Sequence, residues 1–434
     1  MTMPATRYAT TADGLSIAYQ QFGDSGPNVV WVTGTASHIE LFWELPGWAY
    51  TLRRLSSFSR VTWFDKRGAG LSDRTLGSGS LEDRMEDIRA VMDAVGVKSA
   101  VLIGLSESAA ICAVFAAAFP ERVERLVVIA GWAHNPRVGD AAELFETSWG
   151  KGRLLEMIWA QGMTDWELLG RMERAMGTPR SMAALFRASA AIDARPVLPL
   201  VTVPTLVVHC TADPMIPVTH AHEVASLIPN AELVEVGGAF HGSGRPEDMG
   251  RYGEAIERFV LGSDRQSTPT GDRVLATVLF TDIVDSTERA AAEGDTHWAE
   301  LLDDHDRICS RAVENARGRI VKMTGDGLLA TFDGPATAIT AAHKIIDHLG
   351  VIGVHVRAGI HTGEVERRGD DIGGIGVNLA ARVMSAAGDD EVWVSSTVPG
   401  LTVGAPIEFE SKGKRALKGI PGDWELFAAQ LMRS

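Results

Sequence analysis

The chain has 434 residues, of which 45% are hydrophobic and 22% charged, and a formal net charge of −15. That length exceeds one ordinary core and predicts two globular domains, while the composition excludes a disordered chain. The acidic balance, with no basic stripe to offset it, excludes a broad nucleic-acid or acidic-membrane surface, so an anionic substrate has to be met locally by metal ions and a few placed cations.

In chain order, short apolar strands come first: VVWVTG, RVTWFD, AVLIGLS, RLVVIAG, PTLVVHC and AELVEVGG. They alternate with helical stretches, which predicts a mostly parallel sheet covered on both faces. From about 140 to 195 the strand signal vanishes and segments such as SMAALFRASAAI have helical spacing, predicting a helical cap inserted into the sheet domain. GSDRQSTPTGD is polar and aperiodic, so residues 263–273 are expected to link a first domain, 1–262, to a second, 274–434. There the rhythm changes to α+β. A strand from Val274 to Phe280 leads to a long helix ending near Asn315, and a hairpin turns at Gly325-Asp326-Gly327. A helix from Pro335 to His348, a strand from Val354 to Ile360, a helix after Asn378 and a strand at EVWVSS follow.

In the first domain GLSES, Gly104 to Ser108, stands between a strand and a helix, the setting of a nucleophile elbow. Asp213 in HCTADPMIP and His241 in GGAFHGSG each follow later strands, in the order Ser, Asp, His. With FDKRGAGLSDR, these motifs resemble the α/β hydrolases over nearly all of 1–262. The resemblance implies that His241 takes the Ser106 proton, that Asp213 orients the imidazole, and that the backbone amides of Glu107 and Thr35 form an oxyanion hole. Ser108 stands where the pattern has Gly, and Thr33 where many members have His. His209 and His220 are expected to be structural or solvent-facing. The ligand implied is a small acyl compound, either hydrolysed or sensed.

The second domain carries Asp282 in LFTDIVDST, Lys322 and Asp326 in VKMTGDG, and Asp371, Asn378 and Arg382 in DDIGGIGVNLAAR. Two strand-end carboxylates can hold a pair of divalent cations that clamp an in-line displacement at phosphorus. A cation, an acid, an amide and a guanidinium are what reading a base and holding a ribose and a phosphate require. From about Val274 to the terminal WELFAA the region resembles the catalytic domain of class III nucleotidyl cyclases. That resemblance implies two Mg2+ or Mn2+ ions on Asp282 and Asp326, adenine read by Lys322 and Asp371, the ribose oriented by Asn378 and the α-phosphate neutralised by Arg382. A further phosphate cation comes from SKGKRALKG, which reads as a loop, with Lys414 the first choice and Lys412 the second. The implied function is an adenylyl cyclase that makes cyclic AMP and pyrophosphate from ATP in a homodimer with two composite sites. The rivals are an esterase with a vestigial cyclase domain, and a non-enzymatic sensor. Asp285 replaces a common glycine and Gly373 a frequent aromatic. His361 and Thr362 are expected to support the sheet edge.

Cys112, Cys210 and Cys309 lie far apart with no CxxC, and read as buried free thiols of a reducing compartment. The N-terminus has no apolar signal core, and the longest apolar run, Ala109 to Phe119, is too short to span a bilayer. A cytoplasmic protein without membrane insertion is expected.

Overall fold

The structure, a computed structural model, describes residues 3–74, 79–158, 163–242, 249–262, 273–368 and 371–432. It divides into two compact units, Met1–Thr270 and Gly271–Ser434. The expected linker lies outside the described residues except for Arg273.

The first unit is built on strands β1 (Thr6–Thr10), β2 (Ser16–Phe22), β3 (Asn28–Val32), β4 (Arg60–Phe64), β5 (Ala100–Leu105), β6 (Val123–Ile129), β7 (Thr205–Cys210) and β8 (Glu232–Val236), in the spatial order β1-β2-β4-β3-β5-β6-β7-β8. From β4 to β8 every pairing is parallel. The pairings of β1 with β2 and of β2 with β4 are antiparallel. These first two strands were not anticipated from sequence, because YAT and SIAYQQF mix polar and apolar residues as half-covered antiparallel strands do. Helices α1 (Pro46–Ser56), α2 (Leu81–Ala94) and α3 (Ser108–Ala118) precede the cap. The cap holds α4 (Ala142–Ser148), α5 (Arg153–Ile158), α6 (Trp166–Met176) and α7 (Pro179–Ala191), and α8 (Thr219–Leu227) and α9 (Gly250–Leu261) complete the unit. Strands β3 and β5 are buried along nearly their whole length, which is why they read as continuous apolar runs. Inside the cap the buried Glu173 accepts from the amides of Gly150, Gly152, Leu154 and Leu155 at 2.6–3.0 Å. One carboxylate thus satisfies the orphan donors at the start of α5.

The second unit contains β9 (Arg273–Ile283), α10 (Ser286–Glu293), α11 (Asp295–Asn315), β10 (Arg319–Met323), β11 (Gly327–Phe332), α12 (Pro335–Val351), β12 (Val356–Arg368), β13 (Asp371–Gly373), α13 (Ile375–Ala386), β14 (Val392–Ser395), α14 (Val398–Leu401), β15 (Ile407–Ala416) and β16 (Asp423–Leu431). The sheet order is β10-β11-β9-β12-β14-β16-β15, with β13 on β12. One face packs residues of α11 and α12 and the other packs α13. Gly359 lets α13 lie on β12, since a Cβ there would collide with the backbone of Met384.

Four sequence expectations change. The single long helix is two, α10 and α11, separated at Gly294, whose φ of 81° is left-handed. The helix expected after Asn378 starts at Ile375, because the glycine run before it frees Gly374 (φ 103°) to act as its N-cap. SKGKRALKG, read as a loop, lies largely on β15. His361 is not at a sheet edge: β12 is central, and His361 is buried with its Nδ1 2.7 Å from Ser395 Oγ.

Candidate active sites

In the first unit, β5 delivers Ser106 on a turn with φ of 59°, a left-handed conformation that costs a side-chain-bearing residue about 1–3 kcal/mol. The turn is held by the Ser106 amide, which donates to the Ile129 carbonyl at 2.8 Å. Gly104 is required by close approach, since a Cβ there would stand 2.7 Å from the Ser108 carbonyl oxygen. Ser106 Oγ is 3.0 Å from His241 Nε2, and His241 Nδ1 is 2.9 Å from Asp213 Oδ2. The other Asp213 oxygen accepts from the amides of Met215 and Ile216 at 2.8 and 3.0 Å. All three residues named from sequence therefore meet in hydrogen-bonded contact. Ser108, the departure from glycine, leaves the turn intact: its hydroxyl donates to the Thr33 carbonyl at 2.6 Å and accepts from Lys66 at 2.9 Å.

Ser106 and His241 open on a cavity of about 540 Å³ whose lining includes Thr35, Trp132, Ile158 and Phe186. Ile158 and Phe186 belong to cap helices, so the cap closes the site. His209 is buried and structural as expected: its Nε2 lies 2.8 Å from the Ile216 carbonyl, and burial pulls its pKa down. His220 differs from expectation, because it lines the cavity.

A buried charge cluster sits one residue beyond Ser106, and sequence reading missed it. The Glu107 side chain pairs with Lys66 and, at 3.4 Å, with Arg84, and it accepts from the Ser189 hydroxyl of α7. Burial alone would raise the Glu107 carboxyl, but Lys66 and Arg84 hold it below its ordinary value. The cluster ties a cap helix to the elbow. The sequence gives little trace of it, since Lys66 and Arg84 stand among other charged residues, in FDKRG and LEDRMED.

In the second unit, Asp282 ends β9 and Asp326 closes the β10–β11 turn. Antiparallel pairing puts Gly327 opposite Asp282, and the Ile283 amide donates to the Asp326 carbonyl at 2.9 Å, so the two carboxylates share one end of the sheet. Asp282 Oδ2 accepts from Arg357 at 2.6 and 3.1 Å, and Asp326 Oδ2 from Ser286 Oγ at 2.5 Å. Arg357 was not anticipated, since only the β9–β12 register brings it opposite Asp282. Among the described residues no group of three or more His, Cys, Asp or Glu side chains could hold a metal by itself. Two hard-oxygen carboxylates with one oxygen each engaged by protein do fit magnesium or manganese, which fill the rest of their shell with water and substrate phosphates. Asp285 adopts φ of 53°, which explains the preference for glycine there and why aspartate is tolerated.

Lys322 Nζ stands 2.9 and 3.1 Å from the two Asp371 oxygens, with both side chains about half exposed. Asn378 and Arg382, both exposed, lie four residues apart on one face of α13. Lys412 is engaged by Glu410 at 3.0 Å, whereas Lys414 is exposed.

Together the two units define a class: an α/β hydrolase fold followed by a nucleotidyl cyclase domain. Residues 27–156 match the family described as alpha/beta hydrolase fold, and residues 271–430 the Adenylate and Guanylate cyclase catalytic domain. The chain thus joins an α/β hydrolase domain to a class III adenylate or guanylate cyclase domain. It is similar to a putative carbamate hydrolase, RutD, of Caulobacter segnis, 25% identical over 58% of this chain and 98% of that protein. It is also similar to the serine/threonine-protein kinase pkn2 of Myxococcus xanthus, 28% identical over 36% of this chain but spanning only 20% of that protein's length. Among solved structures, an esterase, RhEst1, from Rhodococcus sp. ECU1013 shares the fold of the first unit, with 24% identity, a TM-score of 0.50, and coverage of 59% of this chain and 98% of that one. No helix among the described residues is long and apolar enough to cross a membrane.

Proposed function

We propose that the second unit converts ATP to 3′,5′-cyclic AMP and pyrophosphate, at sites shared by two copies of the chain. The observation that carries the base choice is the Lys322–Asp371 pair: an ammonium and a carboxylate held together at 2.9 Å on an exposed edge. A purine with a ring-nitrogen acceptor beside an amino donor satisfies both, and adenine has that order. Asp282 and Asp326 would hold two magnesium or manganese ions, which when bound acidify the ribose 3′-hydroxyl and offset triphosphate charge. Asn378 orients the ribose and Arg382 meets the α-phosphate while the 3′-oxygen bonds to phosphorus and pyrophosphate leaves. Arg357, beside Asp282, is placed to meet the same polyphosphate, and Lys414 is the further phosphate cation. Sharing between two chains is supported by distance along β12. Gly376 abuts the Glu364 carbonyl, which puts Asn378 near the level of Gly363, whereas Asp282 pairs with Arg357. At ~3.3 Å per residue that separation is about 20 Å, too far for one ribose and its own triphosphate. The ATP substrate and three buried free thiols accord with a cytoplasmic protein.

Incubating the purified chain with ATP or GTP and either metal, then measuring cyclic nucleotides by mass spectrometry, tests this reading. Cyclic AMP is expected in at least tenfold excess over cyclic GMP. Equal yields would remove the base assignment, and no product with either metal would favour a vestigial domain.

A second reading rests on the 3.0 and 2.9 Å contacts of the Ser106–His241–Asp213 array: the first unit is a serine hydrolase for a small acyl compound. Ser106 Oγ bonds to the acyl carbon as its proton passes to His241, which then protonates the departing alcohol. Water repeats the sequence, releasing the acid and restoring Ser106. The amides of Thr35 and Glu107 are the proposed oxyanion donors. A serine-directed phosphonate should label Ser106; a first unit that resists a range of such probes is a ligand-binding module instead.

A further inference from the structure

The first unit's cavity is lined mostly by apolar side chains, and beyond Ser106 and His241 its polar lining includes Asn135 and Arg137. Its lining is dominated by Ala36, Trp132, Val138, Ile158, Phe186 and Met215, whereas Asn135 and Arg137 follow one another closely just after β6. Asn135 is only 5% exposed, and its side-chain amide makes no hydrogen bond within the described residues. Its polar atoms are not among the sealed, unpartnered ones, so the amide is open to a ligand in the cavity that Asn135 lines. Arg137 is the cation that lines the cavity, and no acid among the described residues pairs with it, although the chain is strongly acidic. The neighbouring imidazole does not compete as a cation, since burial pulls His220 down. The segment is also firmly held. His134 Nδ1 lies 2.9 Å from the Ile192 carbonyl, the Ala194 amide donates to Ala133 at 2.9 Å, and the Val138 amide donates to the Asn135 carbonyl at 3.2 Å.

Resting on the reading of this unit as a serine hydrolase, we propose that its substrate is a small, largely apolar ester bearing a free carboxylate, which Arg137 and the Asn135 amide hold while the ester carbonyl lies at Ser106. A planar guanidinium and an amide donor match the two oxygens of a carboxylate. A cavity of about 540 Å³ has room for such a half-ester. Arg137 is itself exposed, so its contact with the carboxylate is screened by salt. Hydrolysis follows the serine route above and releases an alcohol and an acid, one of which keeps the carboxylate.

The test compares the p-nitrophenyl half-ester of glutaric acid with neutral p-nitrophenyl butyrate on the full chain. The wild type is expected to show a kcat/KM about tenfold higher for the half-ester, a preference that shrinks as salt is raised. Arg137→Gln should collapse that ratio, and Arg137→Glu should invert it. An unchanged ratio in Arg137→Gln, or a wild type that favours butyrate, would overturn the carboxylate assignment while leaving the hydrolase reading intact. If neither ester turns over and phosphonates leave Ser106 unlabelled, the hydrolase reading falls alone. Calorimetry with monomethyl glutarate then decides: binding that Arg137→Gln weakens about tenfold upholds the carboxylate site, and no binding to the wild type overturns it.

Discussion

The two sites differ in how finished they are. In the first unit Ser106 and His241 are 8% and 3% exposed, each triad contact is 2.9–3.0 Å, and even the spare oxygen of Asp213 is occupied by two amides. In the second unit the corresponding groups stand open. Lys322 and Asp371 are about half exposed and hold each other, and Asp282 is paired with Arg357. The proposed substrates account for the contrast. The ester carbonyl attacked at Ser106 carries no charge of its own, so the groups around it have to be preorganised and dry. A triphosphate brings several charges, and a dry array of unpaired acids and cations awaiting it would be costly. Partners that neutralise one another until the nucleotide and metals arrive avoid that cost. The lesson is that incomplete geometry in a lone chain is what the charged, shared site proposed for the second unit would show.

The sharpest way to break the comparison is to remove one site and read both. Asp282→Ala or Asp326→Ala should lower cyclic AMP formation by about a thousandfold or more while leaving phosphonate labelling of Ser106 unaffected. Conversely, His241→Ala should cut labelling by about a thousandfold with cyclase output retained. Near-normal cyclic AMP from either aspartate variant would end the metal assignment.

Whether the open site is shared can be read by mixing. Asp282→Ala and Arg382→Ala chains, each nearly inactive, should recover up to about a quarter of wild-type activity when combined, since half the dimers are mixed and each carries one intact site. No recovery, with subunit exchange verified by differently tagged chains, would place the whole site within one chain.

Base reading sets a smaller effect. Lys322→Glu with Asp371→Cys should reduce the ATP to GTP ratio by about tenfold, because the donor and acceptor offered to the purine are exchanged. An unaltered ratio in competition assays would dissociate this ion pair from base choice.

The smallest effect concerns stability of the second unit. Burial lowers the pKa of His361 from 6.5 to about 4, so the folded chain binds fewer protons than the unfolded chain between those values. Its contribution is therefore full above pH 6.5 and is lost as pH falls toward 4, by about 2–3 kcal/mol. Thermal melts from pH 7 to 4.5 should show a shallower loss in His361→Gln than in wild type. Parallel curves would mean that other groups set the acid limit.

Much of this molecule is legible in its sequence, for local reasons. A serine between an apolar strand and a helix, with Gly104 two residues earlier, specifies a strained elbow, and the structure supplies the φ of 59° at Ser106. Continuous apolar runs specify buried parallel strands, and Asp326 between two glycines specifies a hairpin turn. The start of α13, the break at Gly294 and the strand under Lys412 and Lys414 were less legible, because glycine-rich and charged segments carry little periodicity. What only the tertiary structure decided are the pairings between distant segments. Arg357 meets Asp282 through strand register, and Glu107 meets Lys66, Arg84 and Ser189 through the packing of a cap helix over the elbow. Asn135 and Arg137 come to line the Ser106 cavity through the path of the chain after β6. Sequence periodicity reports which face of an element is buried. It does not report which buried faces meet, since hydrophobic burial is non-directional and the partner is chosen by packing of the whole core.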